Sequence, residues 1–226
     1  MNKSLKQAGT GWRSLFAAAA AFLALGLGGC ASMYVDGNFP ETPKSEFRVP
    51  ATPPVVQLAF EFQTKGTANA RATEFFKPKV LAQLQDSGLF SSVTDKPAAD
   101  AGLLVLIINN IPLSEDAAAK GFLAGLTFGL AGSTVADGYD ASLRYTPSAA
   151  GAGTLSQHAK HVIHLSVGTG SPPPGAIKTS FGEEATSMML KQVLSRLLGN
   201  LSMDPAFPAG KPAVPSGTAA DAAKQL

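Results

Sequence analysis

The chain has 226 residues, of which 45% are hydrophobic and only 15% charged, and its 18 Lys and Arg against 16 Asp and Glu give a formal charge of +2. This apolar content excludes a chain disordered throughout, and a single cysteine, Cys30, excludes a disulfide framework. No long basic block is present, so composition gives no support to a nucleic-acid partner.

The first 29 residues divide into a basic stretch (Lys3, Lys6, Arg13), an apolar stretch from Leu15 to Leu27 and a small-residue end. This is the layout of a secretory signal peptide. The apolar run is about a dozen residues, short of the roughly 20 that a permanent membrane-spanning helix needs. It closes on Leu27-Gly28-Gly29-Cys30, and on these residues the chain resembles bacterial lipoproteins, whose lipobox is a Leu-like residue, two small residues and a cysteine. The resemblance implies diacylglycerol on the Cys30 sulfur, cleavage before Cys30 and acylation of the new amino terminus. The alternative is an ordinary signal peptide cleaved nearby, which would leave Cys30 a free thiol in an oxidising compartment. In the enteric sorting rule an aspartate after the lipidated cysteine retains the protein at the inner membrane. Ala31-Ser32 stands there instead, so the resemblance implies the outer membrane, with the anchor facing the periplasm.

Four regions follow: a signal peptide over 1–29, a lipidated Cys30 with a Pro-containing tether over 30–54, a folded domain over 55–203 and a disordered tail over 204–226. Pro40, Pro43, Pro50, Pro53 and Pro54 mark the tether, and Pro205, Pro208, Pro212 and Pro215 mark the tail. A tether of this composition is semi-extended, at roughly 3 Å per residue. Removing Lys3, Lys6 and Arg13 with the signal leaves 15 basic residues against 16 acidic, and 55–203 carries 11 of each. The basic excess therefore belongs to the export signal, and the domain has no net attraction for anionic headgroups.

Within 55–203, Val56, Leu58, Phe60 and Phe62 alternate with Val55, Gln57, Ala59 and Glu61, which predicts a half-buried strand. Phe76, Val80 and Leu84 then stand four apart, predicting a helix that closes at Ser87-Gly88 and either kinks at Pro78 or starts near Lys77. Leu103–Ile108 is a continuous apolar run, fitting a central strand buried on both faces. Tyr139–Thr146 and His161–Val167 each alternate and predict a hairpin across the turn-rich Pro147–Gly153. Ser180-Phe181-Gly182-Glu183 has capping-box spacing ahead of the stripe Met189, Leu190, Val193, Leu194, Leu197, Leu198 and Leu201, predicting an amphipathic helix. The expected architecture is α+β, a two-layer sandwich of about four mixed strands with two helices on one face, plus a Gly-rich insert. That element order is similar to several small periplasmic lipoproteins that act as outer-membrane assembly or transport accessories.

The insert places Gly121, Gly125 and Gly129 four apart, with Phe122 and Phe128 between them. On a helix this spacing makes a groove for close helix approach, which marks a candidate membrane or partner contact. From Gly121 to Ser133 a helix extends only about 20 Å, short of the roughly 30 Å apolar core. The competing reading is a loop or short helix packed on its own sheet. His158, His161 and His164 cannot share one metal ion on a strand, because His158 and His164 lie about 20 Å apart on one side and His161 faces the other.

No Gly-x-Ser-x-Gly elbow, Walker loop or His-Glu-x-x-His stands in the sequence. Gly151-Ala-Gly153 and Gly168-Thr-Gly170 lack the third glycine and context of a dinucleotide site, and no cofactor is expected. The reading is a non-enzymatic outer-membrane lipoprotein, a binding or assembly module with an envelope protein, lipid or glycan partner. The alternatives are a glycine-zipper oligomer in a secretion or pore assembly, and an envelope hydrolase.

Overall fold

The computed structural model describes residues 32–113, 134–149, 151–166, 172–180, 182–207 and 210–212. Its elements are β1 (Ser32–Asp36), a 3-10 turn (Lys44–Glu46), β2 (Arg48–Pro50), β3 (Val55–Thr64), β4 (Thr67–Ala68), α1 (Ala70–Asp86), β5 (Ser92–Thr94), β6 (Gly102–Leu113), β7 (Thr134–Thr146), β8 (Leu155–Ser166), β9 (Ala176–Thr179), α2 (Gly182–Met203) and β10 (Gly210–Pro212). Eight of the strands form one mixed sheet in the order β4-β3-β6-β7-β8-β1-β9, with β5 also pairing with β3. β3 and β6 run parallel, joined through α1, and β6, β7, β8, β1 and β9 are successively antiparallel. β10 pairs with β2 apart from this sheet.

The period-2 pattern sets which face is buried. Val56, Leu58, Phe60 and Phe62 of β3 share a face with Leu104, Leu106 and Ile108 of β6 through the register Phe60↔Leu106, and with Ala141, Leu143 and Tyr145 through Leu106↔Leu143. Both helices cover that face: Phe76, Val80 and Leu84 of α1 join Met189, Val193 and Leu197 of α2 in the same core. Lys79 ties the helices together by hydrogen bonds to Glu183 and Ser187, each 2.9 Å. The core closes at its far end on Phe90, Tyr145 and Phe207, and Gly102 lets Tyr145 approach, since a Cβ there would lie 2.9 Å from its ring. On the opposite face, Leu113, Ala136 and Val162 form a second small cluster.

The α+β class, the two helices on one face and the four long strands agree with the expected pattern, but the sheet is twice as wide. β2, β4, β5, β9 and β10 are only two to four residues long, too short to carry a readable period. The proline-based boundaries also move. Ser32–Asp36 is not part of a tether: β1 sits between β8 and β9, paired with both. Residues 39–50 then lie across α2, where Phe47 is 2% exposed. At the other end Phe207 is equally buried and Gly210–Pro212 pairs with β2, so the fold extends past Met203.

α1 begins at Ala70, not Lys77, and continues through Pro78. Asn69 starts it, its side chain accepting a hydrogen bond from the Ala72 N–H at 3.0 Å. At α2 the carboxylate that reaches back to the Ser180 N–H belongs to Glu184, at 2.6 Å, and Glu183 turns to Lys79 instead. The capping residue is therefore displaced by one from the capping-box spacing.

Candidate functional site

Cys30, Gly121, Phe122, Gly125, Phe128 and Gly129 lie outside the described residues, but the structure fixes where the chain approaches them. Ser32, two residues after Cys30, pairs with Ser166, which pairs with Thr134. Leu113 pairs with Ala136 two rows along. One end of the sheet thus holds Ser32, the first described residue after Cys30, and both points where residues 114–133 meet the sheet. Among the described residues no helix is long and apolar enough to cross a membrane.

A second feature has no signal in any one segment of sequence. Between α1, α2 and residues 41–47 lies a groove of about 720 Å³. Phe47, Ala82, Leu190 and Leu198 line it with apolar surface, and Lys79, Asp86 and Lys191 add charge. Lys44 pairs with Asp86 across the mouth, and both side chains are exposed. The volume falls within the roughly 300–1,000 Å³ of small-molecule pockets. Ser195 lines the groove, but its hydroxyl donates to the Gln192 carbonyl at 2.9 Å and accepts from the Thr42 N–H at 3.0 Å. It therefore holds the N-terminal segment on α2.

The same segment depends on Gly199, where a Cβ would lie 3.0 Å from Thr42 Cγ2 and 3.3 Å from Phe47 Cε1. Replacing Gly199 with Leu overpacks this contact. The expected result is a loss of about 2 kcal/mol together with opening of the groove, read as faster proteolysis within residues 39–50 while α2 keeps its circular dichroism. Unchanged cleavage would show that these residues are not held by α2.

The histidines occupy β8 as the strand reading requires: His161 faces α2, and His158 and His164 face away. His161 is fully buried and its Nε2 lies 2.8 Å from Gln192 Oε1, while Gln192 Nε2 donates to the Asp36 carbonyl at 3.2 Å. Burial lowers the His161 pKa to about 4, against a smaller opposing effect of the Gln192 hydrogen bond. Burial likewise lowers His164 to about 4 and raises Asp36 and Asp137 above the usual carboxylate range. The Tyr139 hydroxyl is pushed well above its ordinary range by burial and then by the charge of Asp137. Among the described residues, no three His, Cys, Asp or Glu side chains are grouped to hold a metal ion. The His161–Gln192–Asp36 chain binds α2 to β8 and β1, and the sequence reading missed it because its members are far apart in the chain.

Neither a family model nor a curated protein matches this chain. Among solved structures, the chain is similar to a Helicobacter pylori protein described as a homologue of a neuraminyllactose-binding hemagglutinin, at 14% identity and a TM-score of 0.40, covering 73% of this chain and 91% of that one. A Xanthomonas campestris protein of the DUF330 family gives 13% identity and a TM-score of 0.31, covering 69% and 84%. A PelC dodecamer from Paraburkholderia phytofirmans gives 8% and 0.29, covering 80% and 98%. Likeness at this level carries nothing about activity or partners.

Proposed function

We propose that the protein is a lipid-anchored module of the bacterial cell envelope, attached through Cys30 to the periplasmic face of the outer membrane, and that it acts by binding. The observation that carries this reading is Leu27-Gly28-Gly29-Cys30, which closes a signal-peptide layout with the only cysteine of the chain. Each buried lipid CH₂ contributes roughly 0.8 kcal/mol, and two or more acyl chains hold a protein stably where one does not. The groove between α1 and α2 supports the binding role: its apolar lining and charged mouth suit a ligand with an apolar body and a polar end.

Cys30→Ser tests the anchor. The expected outcome is complete loss of labelled fatty acid from the protein and accumulation of the form that retains residues 1–29, by mass spectrometry. Fatty acid still incorporated into Cys30→Ser would overturn the reading.

A further inference from the structure

We infer that the end of the sheet formed by Ser32, Ser166 and Ser180 rests on the lipid bilayer, so that the domain stands directly on the membrane with its long strands rising from it. This rests on the lipidation of Cys30 proposed above. Only Ala31 separates Cys30 from Ser32, and Ser32 is already hydrogen-bonded into the sheet opposite Ser166. Two Cα steps of 3.8 Å keep the lipidated residue within about 8 Å of Ser32. That is close to the depth of one headgroup layer, taken as half the difference between the roughly 30 Å apolar core and the 40–45 Å whole bilayer.

The sheet turns this proximity into an orientation. β1 is fixed on both sides, by four registered positions against β8 and four against β9. It therefore cannot swing away from its neighbours. Ser166 lies one strand spacing from Ser32, about 5 Å, and Thr134 two spacings, about 10 Å. Ser180 is on the other side, next to Thr179, which pairs with Met33. The apolar-rich stretch 114–133 leaves and rejoins the sheet at this end, at Leu113 and Thr134.

Ser32 is partly exposed and Ser180 exposed, while Ser166 between the strands is buried, so Ser32 and Ser180 offer the hydroxyls for contact with phosphate and ester oxygens. Among the described residues near this end, Lys178 balances Glu184, and Glu183 is paired with Lys79. β8 then rises about 36 Å from Ser166 to Leu155, which places Tyr145, Leu155 and the neighbouring Ser148 at the opposite end of the long strands. The groove, lined by α2 between Ser187 and Leu198, begins about 8 Å and ends about 24 Å along the helix from Gly182.

The test uses the full-length, processed protein, in which the Cys30 sulfur is held in a thioether and does not react with thiol probes. Ser180→Cys and Ser148→Cys, both at exposed positions, are labelled separately with bimane and reconstituted in phosphatidylethanolamine and phosphatidylglycerol vesicles carrying a nitroxide on the headgroup. The expected result is that both proteins float with the vesicles and that the label at 180 is quenched while the label at 148 is not. Flotation with equal quenching, or with stronger quenching at 148, overturns the orientation and leaves the lipid anchor intact. Processed protein that does not float overturns both.

Discussion

A chain started at Val55 will not fold, whereas one started at Ser32 will unfold cooperatively. Removing residues 32–54 takes away β1, which leaves β9 with no pairing strand among the described residues and strips one edge of β8. It also removes Val35, which is fully buried, and Phe47, which is 2% exposed. Burial of such side chains is worth about 1.5–3 kcal/mol each. The loss extends to α2, where Ser195 and Ser202 would lose the Thr42 and Arg48 N–H groups that donate to them at 3.0 and 3.3 Å. Added together, these losses exceed about 5 kcal/mol, the lower bound of a domain's whole stability. Thermal melts followed by circular dichroism check this. A cooperative melt of the Val55 chain at the temperature of the Ser32 chain would show that β1 and the segment over α2 are accessories.

The contrast between these two start points shows what could be read from the sequence. β3, β6, β7 and β8 are ten residues or longer, so their apolar pattern survives in the sequence, but the run read as a strand buried on both faces is buried on one: Leu104, Leu106 and Ile108 of β6 are in the core while Leu103 is 41% exposed. α2 shows its apolar stripe for the same reason. What covers the other side of α2 is hidden, because Ser195, Gly199 and Ser202 have the small polar character of a solvent-facing helix surface. Their smallness instead admits residues 42–48. Prolines 40, 43, 50, 53 and 54 contributed to the same misreading: they suppress periodicity, yet a proline-containing strap can be fixed by packing and by hydrogen bonds to the partner helix. The groove was illegible for a related reason, since it exists only once the strap, α1 and α2 are assembled. The proposed anchor motif could be read because it is local, four consecutive residues closing a signal-peptide layout, while the start of the sheet at Ser32 emerged only from its register with Ser166.

Stability will fall as the pH drops from 7.5 to 5, and His161→Gln will remove about half of that fall. The amide of Gln192 is oriented by donating to the Asp36 carbonyl, so its oxygen accepts from His161 Nε2, while burial keeps the ring neutral against the smaller opposing effect of that hydrogen bond. Burial holds the folded-state pKa near 4, against the ordinary 6.5 expected in the unfolded chain. Between these values the unfolded chain takes up a proton that the folded chain refuses. The stabilisation is therefore complete above pH 6.5 and is lost as the pH falls towards 4. At pH 5 the linkage amounts to about 2 kcal/mol for His161. His164, also lowered to about 4 by burial, adds a similar amount. Asp36 and Asp137 act in the opposite sense, because their raised pKa values let the folded chain bind protons that the unfolded chain has released, and this offsets part of the loss at the acid end. Urea unfolding of both proteins at the two pH values measures the effect as a difference, so any constant cost of the substitution cancels. Glutamine at 161 keeps a polar group facing Gln192 but does not titrate. An equal pH-dependent loss in the two proteins would show that His161 protonates in the folded state as readily as in the unfolded one, and that burial between β8 and α2 does not hold it neutral.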